Sequence, residues 1–463
     1  MPLTRRTFLA GSTAAGALLV AGGGRVLAEP LAGSDGTTNR ISRLFPGVRL
    51  AHADLHNHTV LSDGAGNPAE AFADMRLAGL DIAALTDHAT VAKRFPDQAS
   101  ELSCDIYDGC SVTGIDERRW GVSGGLAESA NADHSFTALR GFEWSSPTLG
   151  HMNVWFSQDW TDPASTGGST TGSGLAQFLH EGDERLAPVT TPLDTALRAL
   201  PSNGLGMKLF YDWLTADGSD GIAGFNHPGR EQGRFGYFQY DARLRDRIVS
   251  MEVFNRGEDY LYEGIDTGQP SPITDCLDKG WRVGLLGVTD EHGKNWGFAG
   301  KGRGGLWVRE LTRAGVREAL VSRRFFSTRL AGLRVDAAID GVQMGGTVPH
   351  RTGTVEVALD IDGGASWIGK NLTVQLLQTG RPLPRVVWQQ HVRVPAETEP
   401  VITFDAPLDV ADGEWVVLRI TDPAVAENDS RATGPYAGAG KAVAYCAPFW
   451  LDPKKPKKVK PTR

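Results

Sequence analysis

From residue 48 onward, apolar positions fall into two kinds of run. Residues 49–58 and 81–86 are short stretches dense in apolar side chains, whereas over 69–78 apolar residues return at helical spacing. The first pattern predicts strands and the second a helix with one buried face. Asn67 stands where an N-cap would, Pro68 fits the first helical position, and Gly79 follows as a stop. The β-α-β order predicts parallel strands whose C-terminal ends carry the functional groups.

The alternation continues. Residues 91–133 are polar and rich in Gly, Ser and Asp, which predicts an inserted loop region. Strands are expected at 137–144, ending near Glu143, and at 151–156, followed by a surface excursion over 157–174. Helical spacing marks 175–179, 193–200 and 207–214. Strands follow at 222–225 and at 248–254, which contains Glu252. A helix at 272–279, strands at 282–288 and 306–308, and a helix at 314–321 close this unit. After Arg329 the apolar period falls to two: residues 354–361 alternate strictly, and 371–376, 385–394, 401–404, 414–420 and 442–446 have the same character. Six short strands without helices predict a β-sandwich. The expected division is a signal segment over 1–28, a linker over 29–45, an α/β barrel over 46–330, the sandwich over 331–452, and a basic, disordered tail over 453–463.

The first residues change the picture of where the chain works. Arg5-Arg6 and Phe8-Leu9 precede a short, weakly apolar run, then Val26-Leu27-Ala28, in the manner of a twin-arginine export signal. This predicts a periplasmic or secreted protein with no membrane span after signal removal. A net charge of −8 across 463 residues argues against general affinity for nucleic acid or anionic membranes. The four cysteines form no Cys-x-x-Cys unit, which argues against a zinc ribbon. Cys104 and Cys110 could close a disulfide, while Cys276 and Cys446 fall in different expected domains. Oligomeric state is not legible.

Candidate chemistry gathers at predicted strand ends. His56 and His58 stand two apart, with Asp63 close behind; Asp87-His88 ends the next strand. Glu143, His151 and His227 follow, and Asp290-x-His292 repeats the two-residue spacing. Two such groups on one extended segment point the same way. A nitrogen and oxygen set without thiolate suits Zn, Mn or Fe, and nine groups exceed the needs of one ion, so two or three divalent ions are expected. His52, His134 and His180 fall outside these motifs.

These residues resemble the polymerase-and-histidinol-phosphatase (PHP) superfamily of metal-dependent hydrolases. The matches are His56-Asn-His58 with Ser62-Asp63-Gly64, Thr86-Asp87-His88, Glu143, the His227-Pro pair, and Asp290-x-His292. The resemblance covers about residues 50–329 and implies a distorted (β/α)7 barrel with its metals at the strand C-termini. With the signal and the all-β extension it is similar to an exported branch related to carbaryl hydrolase. The resemblance further implies one ion held by His56, His58, Glu143 and Asp290, a second shared through Glu143 with His88 and His151, and a third among Asp63, His227 and His292. Asp87 would orient an imidazole from behind. The reaction implied is hydrolysis of a small phosphomonoester or phosphodiester by metal-activated water, with Arg230 or the basic loop 294–303 meeting the phosphate. Two alternatives stay open: amide, carbamate or carboxylic-ester hydrolysis by the same cluster, and a non-catalytic binding protein.

Overall fold

The computed structural model describes residues 39–90, 114–146, 149–163, 165–166, 207–216, 218–231, 233–350 and 352–452. The expected signal segment, the Cys104/Cys110 pair, the helices at 175–179 and 193–200, His180 and the basic tail lie outside these residues. The described residues all fall in one compact unit. Among them, no helix is long and apolar enough to cross a membrane.

In the first half, β1 (Arg49–Asp54), β2 (Ile82–Leu85) and β4 (Thr137–Ser146) run parallel, with the two-residue β3 (His88–Ala89) beside β4. Next come β5 (Gly150–Trp155) and β6 (Ile222–Phe225), then β7 (Ile248–Asn255), which forms a hairpin with β8 (Glu258–Asp259) and lies parallel to β9 (Gly284–Val288). On its other edge β1 pairs antiparallel with β10 (Arg303–Val308), itself followed by β11 (Phe325–Thr328).

Two features depart from a regular barrel. β5 runs antiparallel to both β4 and β6; residues 147–149 are too few for the helical crossover that a parallel β4–β5 pair needs. The parallel strands also do not close through a regular ladder among the described residues; the segments that follow β1 and β9 meet through one isolated parallel bridge, Asn57 with Glu291. The helices are few. α1 (Pro68–Leu77) is capped by the Asn67 side chain and buries Ala71, Phe72 and Met75. α2 (Glu117–Ala130) lies where sequence reading placed only loop. α3 (Lys208–Leu214), α4 (Pro272–Asp278) and α5 (Arg313–Val321) fall where helical spacing placed them.

The remaining strands are β12 (Arg334–Ile339), β13 (Val342–Gln343), β14 (Thr347–Pro349), β15 (Thr352–Asp362), β16 (Asn371–Gln378), β17 (Arg385–Arg393), β18 (Ile402–Asp409), β19 (Trp415–Asp422), β20 (Lys441–Cys446) and β21 (Phe449–Asp452). β13, β12, β15 and β18 form a separate four-stranded sheet. β17, β16, β19 and β20 instead join the first-half sheet through the pairing of β20 with β11. The two layers share one apolar core: Val335, Val357 and Leu359 from one meet Val374, Leu418 and Ile420 from the other.

Asp336 sits inside this layer pair, accepting from Ser42 Oγ at 2.6 Å and from Gln343. Burial pushes its carboxyl up to about 7, against the pull of those hydrogen bonds. As pH rises from about 4, the unfolded chain ionises Asp336 first while the folded chain keeps the proton, so stability falls until about pH 7 and is level above. Asp336→Asn removes this slope. Relative to wild type, the variant is expected to gain about 1.4 kcal/mol per pH unit across that window as an upper bound. Urea melts at pH 4, 5.5 and 7 check this; a constant difference between the two proteins would refute it.

Candidate metal centre

β1 ends at Asp54, so His56 and His58 lie beyond the strand and not on it. The Asp54 carboxylate accepts from Thr289 N (3.1 Å) and from the Thr289 hydroxyl. The next residues are pinned to the end of β9: Asp290 N donates to His56 O at 3.1 Å, and His58 N donates to Glu291 O at 2.9 Å. These backbone bonds lay the His-x-His and Asp-x-His motifs side by side. Gly64 lets the following loop fold back, since a Cβ there would stand 2.6 Å from Thr59 N.

Glu143, buried on β4, is the hub. Its Oε1 lies 3.2 Å from His56 Nε2 and 3.3 Å from both His151 Nδ1 and His227 Nε2. Its Oε2 lies 2.6 Å from His88 Nδ1 and 3.6 Å from His58 Nε2. Asp290 Oδ1 approaches His56 and His58 at 3.5 and 3.4 Å. Asp63 Oδ2 lies 3.4 Å from His88 Nε2 and 3.3 Å from His292 Nε2. All nine residues singled out as candidate ligands therefore meet in one place. Eight of them, with Glu231, compose overlapping donor sets: His56, His58 and Glu143; His88, Glu143 and His151; His58, Asp63, His88 and His292; and His151, His227 and Glu231.

Two expectations need correction. His227 does not stand with Asp63 and His292. It follows β6, on the far side of β5 from β4, and faces Glu143, His151 and Glu231 instead. Asp87 bonds no imidazole among the described residues; it accepts from Thr59 N (2.7 Å) and Ser62 Oγ (2.7 Å) and so braces the loop that delivers Asp63.

The imidazoles take their orientation elsewhere. Glu252 Oε1 sits 2.7 Å from His56 Nδ1, and its Oε2 accepts from His227 N (2.7 Å) and Asn255 (2.8 Å). Ser145 Oγ lies 2.6 Å from His88 Nδ1, and Asn226 Nδ2 donates to Glu143 Oε1 at 2.6 Å. Glu252 carries no motif; its one signal in the sequence is an acid within an apolar strand, and it is buried there. Bonded to Glu252, the His56 Nδ1 carries a proton, which would leave Nε2 to offer its lone pair to a bound cation; without one, Asp290, Glu252 and Glu143 overcome burial and push the ring well above its usual range. Glu252→Gln is expected to weaken metal affinity about 10- to 100-fold with the fold intact. A chelator competition titration reads this, and unchanged affinity would end the orienting role.

Burial opposes charge throughout, and pairing answers it. Burial would raise Glu143, but His56, His88 and His151 hold it well below the usual carboxylate range. Asp290 is held low in the same way, chiefly by His56. Burial, then His88 and His292, lower His58 to about 3, leaving it neutral with a free lone pair, as a metal ligand must be. His58 Nδ1, Glu143 Oε2 and His227 Nδ1 are buried without a well-formed hydrogen bond. His56 Nε2 and His58 Nε2 stand 3.0 Å apart, where two lone pairs repel unless a proton or a cation lies between them. The donors thus fit divalent cations. Asp290 (φ 48°) and His227 (φ 24°) also hold left-handed backbone conformations, a strain that side-chain-bearing residues keep mainly at functional sites.

Two guanidiniums stand at the rim. Arg230, half-exposed after the turn at Gly229, comes to 4.0 Å from Asp290 Oδ2. Arg256, which sequence reading did not single out, lies 3.1 Å from the same oxygen and 2.8 Å from His292 Nδ1. It occupies the tip of the β7–β8 hairpin, where Arg256 (φ 53°) and Gly257 (φ 87°) supply the two positive φ angles of a two-residue primed turn.

No protein-family model matches the chain, and no curated protein does. Among solved structures it is similar to a two-domain protein from Bacteroides vulgatus containing a predicted PHP-like metal-dependent phosphoesterase (14% identity, 92% of this chain, 100% of that one, TM-score 0.38). A protein from Bifidobacterium adolescentis assigned as a metal-dependent phosphoesterase matches at 17% identity over 52% of this chain and 88% of its own (TM-score 0.27). An amidohydrolase from Chromobacterium violaceum with bound sulfate matches at 15% over 54% and 90% (TM-score 0.26). The chain is thus similar, at low identity, to proteins described as metal-dependent phosphoesterases, one of them PHP-like, and to one described as an amidohydrolase.

Proposed function

We propose that this chain is a PHP-type metal-dependent phosphoesterase that hydrolyses small phosphomonoesters or phosphodiesters. The observation that carries the reading is the convergence of eight imidazoles and carboxylates around Glu143, with Arg230 and Arg256 at the rim. His56, His58, Glu143 and Asp290 would hold one ion; His88 and His151 would share Glu143 in holding a second, with His227 beside them; Asp63 and His292 would hold a third with His88. Zn, Mn or Fe suits this donor set. Divalent ions bound there would bring the pKa of a water toward neutrality and offset charge growing on the substrate oxygens. The residues themselves supply the rest. Glu252 and Ser145 hold ring orientations, and Asp87 holds the Asp63 loop. Arg230 and Arg256 offer planar donors matched to phosphate.

Arg230→Ala is expected to raise KM about tenfold and leave metal content unchanged. An unaltered KM would remove Arg230 from the substrate site. The reaction class is tested with p-nitrophenyl phosphate, bis-p-nitrophenyl phosphate and p-nitrophenyl acetate, each with and without chelator. Chelator-sensitive turnover of a phosphate ester is the expected result; turnover of the carboxylic ester alone would favour carbonyl hydrolysis and overturn the proposal. The same proposal takes in twin-arginine export to the periplasm or beyond, a distorted (β/α)7 barrel over 46–330, and a β-sandwich over 331–452. It also takes in placement near the carbaryl-hydrolase branch. These rest on the sequence motifs quoted above.

A further inference from the structure

The hairpin that carries Arg256 is gripped from a distant part of the chain. Asp259, paired with Phe254 across the β7–β8 ladder, accepts a hydrogen bond from Tyr445 Oη on β20 at 2.8 Å and caps Leu261 N at 3.1 Å. The Tyr445 hydroxyl in turn accepts from Arg419 Nε at 3.0 Å, and its ring packs on Phe254 with centroids 5.2 Å apart. Arg419, fully buried on β19, also reaches Gln375 (2.8 Å) and Tyr262 Oη (3.1 Å). From the other side Arg329 lies over the Phe254 ring at 4.2 Å and donates to Gly257 O at 3.1 Å. The base of a two-residue turn is thus fixed by direct, charge-assisted hydrogen bonds. The tip carries a non-glycine residue in a left-handed conformation that an unbraced turn would not favour.

We propose that Tyr445 is a positioning residue: through Asp259 it sets the β7–β8 hairpin, and through the hairpin it aims Arg256 at the anionic group of the substrate. This rests on the reading of Arg256 as a substrate contact. The C-terminal strands then do more than cover apolar surface; they tune the mouth of the cluster. Arg419 holds Tyr445 oxygen acceptance toward itself, leaving the hydroxyl proton only Asp259 to meet.

The test uses the full, metal-replete chain and inorganic phosphate as the probe, read by titration calorimetry. Tyr445→Phe keeps the ring on Phe254 and removes only the hydroxyl. Asp259→Asn weakens the same hydrogen bond from its other end. Each is expected to bind phosphate about tenfold more weakly, as the loss of one charge-assisted bond allows, with metal stoichiometry near wild type; melting behaviour stays near wild type in Tyr445→Phe but falls in Asp259→Asn, which also takes from Arg329 the buried carboxylate 3.6 Å away. Arg256→Ala should show a loss at least as large, and Tyr445→Phe should add nothing in that background. Wild-type phosphate affinity in both Tyr445→Phe and Asp259→Asn, with a loss in Arg256→Ala, overturns the positioning role alone. So does a Tyr445→Phe effect that persists at full size without Arg256. No loss in Arg256→Ala overturns the substrate-contact reading and the positioning role together.

Discussion

Glu143→Gln is expected to lower kcat/KM by about a thousandfold or more, and to reduce bound metal, in a chain that still folds. The carboxylate touches both halves of the cluster: one oxygen serves His56, His151 and His227, and the other serves His88 and His58. Glutamine keeps the shape and one acceptor for Asn226 but removes the negative charge from the centre and turns an N–H₂ toward imidazole lone pairs. Metal content by plasma mass spectrometry and steady-state kinetics on the best phosphate ester check the result. Wild-type metal stoichiometry together with wild-type turnover would remove Glu143 from the centre.

His56→Ala should lose metal and activity together, again at about the thousandfold level, while secondary structure persists. The segment is held by its backbone: His56 O accepts from Asp290 N and His58 N donates to Glu291 O, and neither bond needs the side chain. What is lost is the Nε2 donor facing Glu143 and Asp290, and Glu252 loses the ring it orients. A modest drop in melting temperature is expected, because Glu252 keeps its bonds to His227 N and Asn255. Full metal stoichiometry in the variant would contradict the assignment.

The candidate ligands were legible because they come as short spaced motifs at strand ends, and spacing survives in a one-dimensional string. His56-x-His58 and Asp290-x-His292 are joined by backbone bonds that no periodicity announces, yet the motifs mark residues that the fold brings together. Their partners were not legible in the same way. Glu252 meets His56 across 196 positions, and nothing near Glu252 in the chain points to that ring. Arg256 was hidden in a hairpin turn whose Arg-Gly tip looks like an ordinary surface loop. The grouping of His227 with His151 and Glu231 depends on which neighbours β6 has, and apolar runs do not give strand order or direction. For the same reason the antiparallel β5 and the continuity of β20 with β11 were not foreseen. α2 was missed because Gly121, Gly124 and Gly125 dilute its helical signal and only Trp120, Ser123 and Ala127 are buried; the Asp116 N-cap was the readable cue.

The claim on which the rest depends is that these side chains, gathered from opposite ends of the first three hundred residues, grip cations. Anomalous diffraction from crystals grown with manganese or zinc, recorded above and below the metal edge, tests it most directly. At least two peaks are expected flanking the Glu143 carboxylate, within coordination distance of His56, His58, His88 and Asp290. A well-ordered site with metal in excess and no anomalous peak beside Glu143 would contradict it.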